Sequence, residues 1–104
     1  MFCVSLTIRF ELEARVELIR ASEHYRNVSP QIGMEFSRAF RECVRDIMNF
    51  PDVFKHVGDG VRRASLPRFP YFVYFTVDPD CVFVYAVAHH KQDQSYWQRR
   101  LHPG

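Results

Sequence analysis

No stretch of this sequence stays apolar for longer than the eight residues Cys81 to Ala88, far short of the roughly 18 to 20 that a membrane-spanning helix needs. No basic-then-apolar leader opens it either, so a cytoplasmic protein is expected rather than an exported or membrane-inserted one. The three cysteines, Cys3, Cys43 and Cys81, stand far apart and are odd in number, which excludes a Cys-x-x-Cys metal or redox motif and a disulfide framework. A glycine-rich phosphate loop, a His-x-x-x-His pair, a carboxylate cluster and a serine nucleophile motif are all absent, and neither cofactor nor metal is expected.

What is present is a chain built to fold. Of its 104 residues 47% are hydrophobic and 15% aromatic, with ten Phe, five Tyr and one Trp. That composition is too apolar for a disordered chain, and the length suits one core, so a single domain over residues 1–104 is expected. Charge is uneven. Residues 1–61 hold eight Lys/Arg against nine Asp/Glu, whereas residues 62–104 hold six against three and include three of the five His. The C-terminal half is the basic one.

Val4, Leu6, Ile8 and Phe10 alternate with Ser5, Thr7 and Arg9, the period of a half-buried strand. From about Glu11 the period turns helical, with two apolar stripes on opposite sides: Ala14, Leu18, Ala21 and Tyr25 on one, Leu12, Val16 and Ile19 on the other. One stripe serves the domain's own core. The other is buried within the same domain or meets another chain. Ser29-Pro30 reads as an N-cap followed by proline at the first helical position, and a second helix runs from there to Phe50, where Pro51 stops it. Ile32, Phe36, Ala39, Phe40, Cys43, Ile47 and Phe50 form its apolar face. Residues 51–60 read as an irregular connection, followed by strands at Val61 to Leu66, Tyr71 to Val77 and Cys81 to His90. The last two strands are joined by Asp78-Pro79-Asp80, and the uninterrupted apolar Cys81 strand should lie inside the sheet. The tail from Asp93 to Arg100 reads as a short helical turn placing Tyr96 and Trp97 on the sheet edge. The order β-α-α-β-β-β predicts an α+β domain, a helical hairpin on a mostly antiparallel four-stranded sheet.

Several segments together resemble the RelE/ParE superfamily of toxins from bacterial type II toxin–antitoxin systems. They are Phe10-Glu11-Leu12-Glu13-Ala14, Glu17-Leu18, His24-Tyr25, Ile32-Gly33 with Phe36, Phe50-Pro51 and Arg62-Arg63, then Phe69-Pro70-Tyr71 with Tyr74, and an ending with His89, Lys91, Asp93, Tyr96, Trp97 and Arg100. The resemblance implies a toxin of the plasmid-stabilisation kind, neutralised by a cognate antitoxin whose C-terminal segment wraps it. It also implies one of two modes of growth arrest: RelE-like toxins cut mRNA in the ribosomal decoding site without metal, and ParE-like toxins poison DNA gyrase.

RNA cleavage of the RelE kind needs a base, an acid and fixed cations around the scissile phosphate. Arg62 and Arg63 on one strand, His89, His90 and Lys91 at the end of another, and Tyr96 beyond could supply them if the start of the Val61 strand lies near the end of the Cys81 strand. Adjacent strand residues face opposite sides, so His89 and His90 should not both serve. Candidates for target or antitoxin binding are the outer stripe Leu12, Val16 and Ile19, with Arg62, Arg63, Arg68, Trp97, Arg99 and Arg100. Plainer roles compete: an exposed Arg pair as a solvated edge, His89 as an anchor for the tail, Tyr96 and Trp97 as packing. The chain has only two lysines, with Lys55 alone before the Val61 strand, and a net charge of +2, little for a nuclease held by ribosomal phosphates. These departures favour the gyrase-poisoning reading, with a metal-independent mRNA endonuclease as the alternative. Whether the chain is an enzyme stays open, as does the choice between a homodimer and a toxin–antitoxin hetero-oligomer.

Overall fold

The computed structural model describes residues 7–92 and Gln98. Strand β1 (Thr7–Phe10) leads into helix α1 (Leu12–Val28), and α2 (Pro30–Asn49) follows at once. Ser29 makes this tight junction: its backbone N–H closes α1 on the Tyr25 carbonyl, and its Oγ accepts from the Ile32 N–H at 3.0 Å to cap α2. A single 3₁₀ turn (Pro51–Val53) ends the hairpin, and β2 (Lys55–Gly58), β3 (Val61–Ser65), β4 (Tyr71–Asp78) and β5 (Cys81–His89) complete the chain.

The strands form one sheet in the order β1-β5-β4-β3-β2, antiparallel except for the β1–β5 pair. The sheet therefore has five strands where the sequence pattern predicted four. The segment expected to be irregular holds β2, turned back onto β3 by Asp59-Gly60 with φ of 54° and 77°. Left-handed φ at both turn residues matches the twist of a two-residue hairpin, and Asp-Gly is a favoured pair for it. The expected strand residues Val4 and Leu6, and the turn over Asp93 to Arg100, lie outside the described residues apart from Gln98.

One face of the sheet carries both helices. Phe36, Ile47, Val73, Phe75, Val82 and Val84 are fully buried there, each contributing about 1.5 to 3 kcal/mol from leaving water. Ala14 and Ala21 are the buried residues of α1, small enough to seat it closely against the core. Tyr25 stacks on Phe36 with ring centroids 5.0 Å apart, and Phe69 and Tyr71 meet both rings edge-on.

Strand β5 lies between β1 and β4, as its apolar run implied. Val84 stands opposite Phe75 and Ala86 opposite Tyr74, so Tyr85 is the extra residue of a β-bulge. The bulge moves the alternation by one residue. Val82, Val84 and Val87 belong to the helix-side core, whereas Ala86 and Ala88 join Val61 and Tyr74 in a smaller cluster on the open face. Where β1 ends, α1 takes over the β5 edge: the Glu11 N–H donates to the Val84 carbonyl, and Glu17 Oε1 accepts from the Val87 N–H at 2.9 Å. No helix among the described residues is long and apolar enough to cross a membrane.

Candidate functional site

Pairing registers assign each candidate side chain to a face. Lys55, Arg63, Tyr74 and Ala86 stand in one cross-strand row, and Ser65, Phe72 and Ala88 in the next. Tyr74, Ala86 and Ala88 belong to the open-face cluster, so both rows lie on the face without helices. The neighbouring row, His56, Arg62, Phe75 and Val84, points to the helix side.

On the open face the Arg63 guanidinium lies over the Phe72 ring, 4.2 Å from its centroid, within cation–π range. Arg63 also hydrogen-bonds the Tyr74 side chain. Burial pushes the Tyr74 phenol above its ordinary range, and the Arg63 hydrogen bond and charge only partly offset it. The backbone N–H of His90 is fixed by the Pro70 carbonyl, and its imidazole lies near-parallel to Phe72 at 4.0 Å between centroids. Its Nε2 is 3.4 Å from Ser65 Oγ. Phe83 and Tyr85 make a further ring pair at 4.8 Å. The result is an exposed imidazole and a half-buried guanidinium gathered on one aromatic ring, beside a hydroxyl and in line with Lys55, a surface able to hold an anionic or planar group.

The other candidates are elsewhere. Arg62 points to the helix side, where its guanidinium donates to the Phe54 carbonyl at 2.9 Å and the Asp52 carbonyl at 3.4 Å and pairs with the Asp52 carboxylate at 3.8 Å. It staples the 3₁₀ turn to the sheet. His89 also faces the helices, edge-on to Tyr71, with Nδ1 accepting from the Lys91 N–H at 3.1 Å. It sits in a small cleft with Glu17, Arg20, His24 and Gln92. Lys91 is exposed in the turn after β5, and Arg68 is exposed in the β3–β4 loop at a left-handed φ of 68°. Tyr96, Trp97, Arg99 and Arg100 lie outside the described residues.

The expectation that the start of β3 meets the end of β5 is thus corrected. Both strands run antiparallel to β4 and so parallel to each other, and it is Ser65, at the end of β3, that reaches His90. The set Arg62, Arg63, His89 and His90 divides two and two between the faces. The outer stripe of α1 is where its periodicity placed it: Leu12 is 73% exposed, Val16 39% and Ile19 51%. Sequence reasoning did not single out Ser65 or Phe72, although period-two alternation from Tyr74 puts Phe72 on the open face. Among the described residues no group of His, Cys, Asp and Glu is placed to hold a metal.

Comparison with known proteins places this geometry in a family. Residues 8–94 match the model of the ParE toxin of the type II toxin–antitoxin system parDE. Among solved structures, the chain is similar to one from the chromosomal ParDE toxin–antitoxin system of P. aeruginosa, with a TM-score of 0.69 and 16% identity over 84% of this chain and 98% of that one. It is also similar to a chain of the RelBE2 toxin–antitoxin complex of Mycobacterium tuberculosis, with a TM-score of 0.54 and 22% identity over 83% of this chain and 99% of that one. No curated protein matches in sequence.

Proposed function

Because this chain belongs to the ParE toxin family of type II toxin–antitoxin systems, we propose that it arrests growth by binding and poisoning DNA gyrase, and that a cognate antitoxin neutralises it. One observation supports the choice of target: of Arg62, Arg63, His89 and His90, only one arginine and one histidine share the open face of the sheet, which leaves a single imidazole where the cleavage needs both a base and an acid. Arg62 is committed to backbone carbonyls and Asp52, and His89 is turned toward the helices, which leaves Arg63 and His90 on the open face. An enzyme of that chemistry needs a base and an acid on either side of the phosphate. A toxin that acts by binding needs only a complementary surface. Gyrase acts on DNA in the cytoplasm, so this reading puts the toxin there.

The test is supercoiling by purified gyrase with added toxin. Loss of supercoiling with accumulation of cleaved DNA complexes at micromolar toxin is the expected result. Unaltered gyrase at that concentration rejects the proposal.

A second reading, a ribosome-dependent mRNA endonuclease without metal, rests on the contact of His90 with Ser65 and the approach of Arg63 to the same ring. It requires codon-positioned cuts in translated message that disappear in His90→Ala. Intact message in arrested cells excludes it.

A further inference from the structure

Strand β5 ends in a turn that side chains help to build. The Gln92 N–H donates to the His89 carbonyl at 2.9 Å, and Gln92 Oε1 accepts from the His89 N–H at 2.8 Å, so residue 92 satisfies both backbone groups of residue 89. Of the N–H groups between them, that of His90 goes to the Pro70 carbonyl at 2.8 Å, and that of Lys91 is held at 3.1 Å by Nδ1 of the His89 ring. Through this turn the chain passes from the sheet to its C-terminal segment, where the sequence carries Arg99 and Arg100.

The Lys91 bond depends on the protonation state of the ring. A backbone N–H only donates, so Nδ1 must be the bare nitrogen of a neutral imidazole whose proton sits on Nε2. In the imidazolium both nitrogens are donors, and two N–H groups then face each other across 3.1 Å. Tyr71, opposite His89 on β4, packs edge-on against the ring with centroids 5.2 Å apart and planes at 78°, which restrains it from turning in place.

The surrounding charges set where a protonated ring is drawn. The cleft that holds it, about 270 Å³, brings Glu17, Arg20 and His24 from α1 together with Tyr71 and Gln92. Lys91 is in the turn itself, and His90 stacks on Phe72 across the sheet. Burial first, and Tyr25 second, push the Tyr71 phenol above its ordinary range, so it stays neutral. Glu17 is the one carboxylate among the residues lining the cleft, set against Arg20, His24 and the neighbouring Lys91. A positive charge on residue 89 is therefore repelled within the turn and attracted toward α1.

We propose that His89 is a proton-operated latch: neutral, it closes the His89–Gln92 turn by accepting from the Lys91 N–H, and protonated, it releases the Lys91 peptide and moves toward Glu17, loosening the turn that leads out of β5. The latch is closed while the imidazole is neutral and opens as pH falls through its titration, within the range where histidine changes charge. It uses neither the target nor the antitoxin and stands apart from the function proposed above.

Nuclear magnetic resonance of the full chain, labelled with ¹⁵N and ¹³C, reads both halves of the latch. Ring-nitrogen shifts should show His89 with its proton on Nε2 at pH 8. The backbone order parameters of Lys91 and Gln92 should fall from about 0.85 at pH 8 to below about 0.6 at pH 5, with the same midpoint as protonation of the His89 ring. His89→Asn places an Oδ1 acceptor where Nδ1 stood and does not titrate, so both residues should stay near 0.85 at either pH. His24→Gln should behave as wild type. Far-UV circular dichroism checks that each variant is folded at both pH values. Four results overturn the proposal: a neutral His89 protonated on Nδ1, a turn whose order is unchanged while His89 titrates, a change that follows His24 instead, or a His89→Asn turn that loosens in acid as wild type does. If asparagine fails to hold the turn at either pH, the coincidence of the wild-type midpoints decides alone.

Discussion

Gly33→Ala sets helix propensity directly against packing. In an exposed helix this change stabilises by about 1 kcal/mol, because glycine loses more backbone entropy on folding. Here α1 and α2 approach so closely that a Cβ on residue 33 would lie 2.9 Å from Arg26 Cα, 3.1 Å from its Cβ and 3.3 Å from its N. The atoms struck are backbone and stem, which no rotamer change can move, so the helices must separate by about half an ångström. Overpacking of this kind costs roughly 1 to 3 kcal/mol, and the upper part of that range applies where backbone must shift. The Tyr25–Phe36 stack at 5.0 Å spans the same interface and loosens with it. Net destabilisation of about 1 to 2 kcal/mol is expected, with a fall in melting temperature of roughly 4 to 16 °C for a domain of this size. Urea unfolding followed by circular dichroism measures it. Arg26→Ala supplies an internal check: alanine keeps all three contacting atoms, so the cost of Gly33→Ala should be unchanged in that background, within about 0.5 kcal/mol. A Gly33→Ala protein as stable as wild type, or more so, would refute the close approach as the reason for glycine.

Phe36→Ala, at a fully buried ring in the centre of the aromatic cluster, should cost about 3 to 5 kcal/mol in urea unfolding and leave little folded protein. Arg62→Ala should lower stability by about 1 to 2 kcal/mol, through the carbonyls of Asp52 and Phe54, yet leave target binding as it was; reduced binding with unchanged stability would move Arg62 to the functional surface. The Cys43 thiol is raised from 9.0 to about 12, by burial first and by Asp46 second. The unfolded chain therefore loses this proton before the folded one does, and stability present below pH 9 declines as pH rises toward 12. At about pH 10.5 the wild type should have lost about 2 kcal/mol more than Cys43→Ala relative to pH 8, and equal losses would contradict a buried, protonated thiol.

The open face and the helix layer assign different work to cations that look alike in the sequence. Arg62 and Arg63 are neighbours in the chain, yet one holds the 3₁₀ turn to the sheet and the other lies over Phe72 in front of Tyr74. His89 and His90 divide in the same way, one edge-on to Tyr71 beneath α1 and the other stacked on the open face.

Local chemistry settled the helices before any packing was known. Ser29 with Pro30 can only end one helix and cap the next, Pro51 cannot continue α2, and the 3.6-residue stripes of α1 already separated Ala14 and Ala21 from the exposed Leu12, Val16 and Ile19. The family was legible too, because its motifs follow one another along the chain. Tertiary structure decided the rest: β2 as a fifth strand, β1 parallel to β5, and the bulge at Tyr85. Periodicity is a property of one segment and can be read there. The face that a strand residue presents depends on register with distant strands, and a single bulge reverses it for every residue beyond.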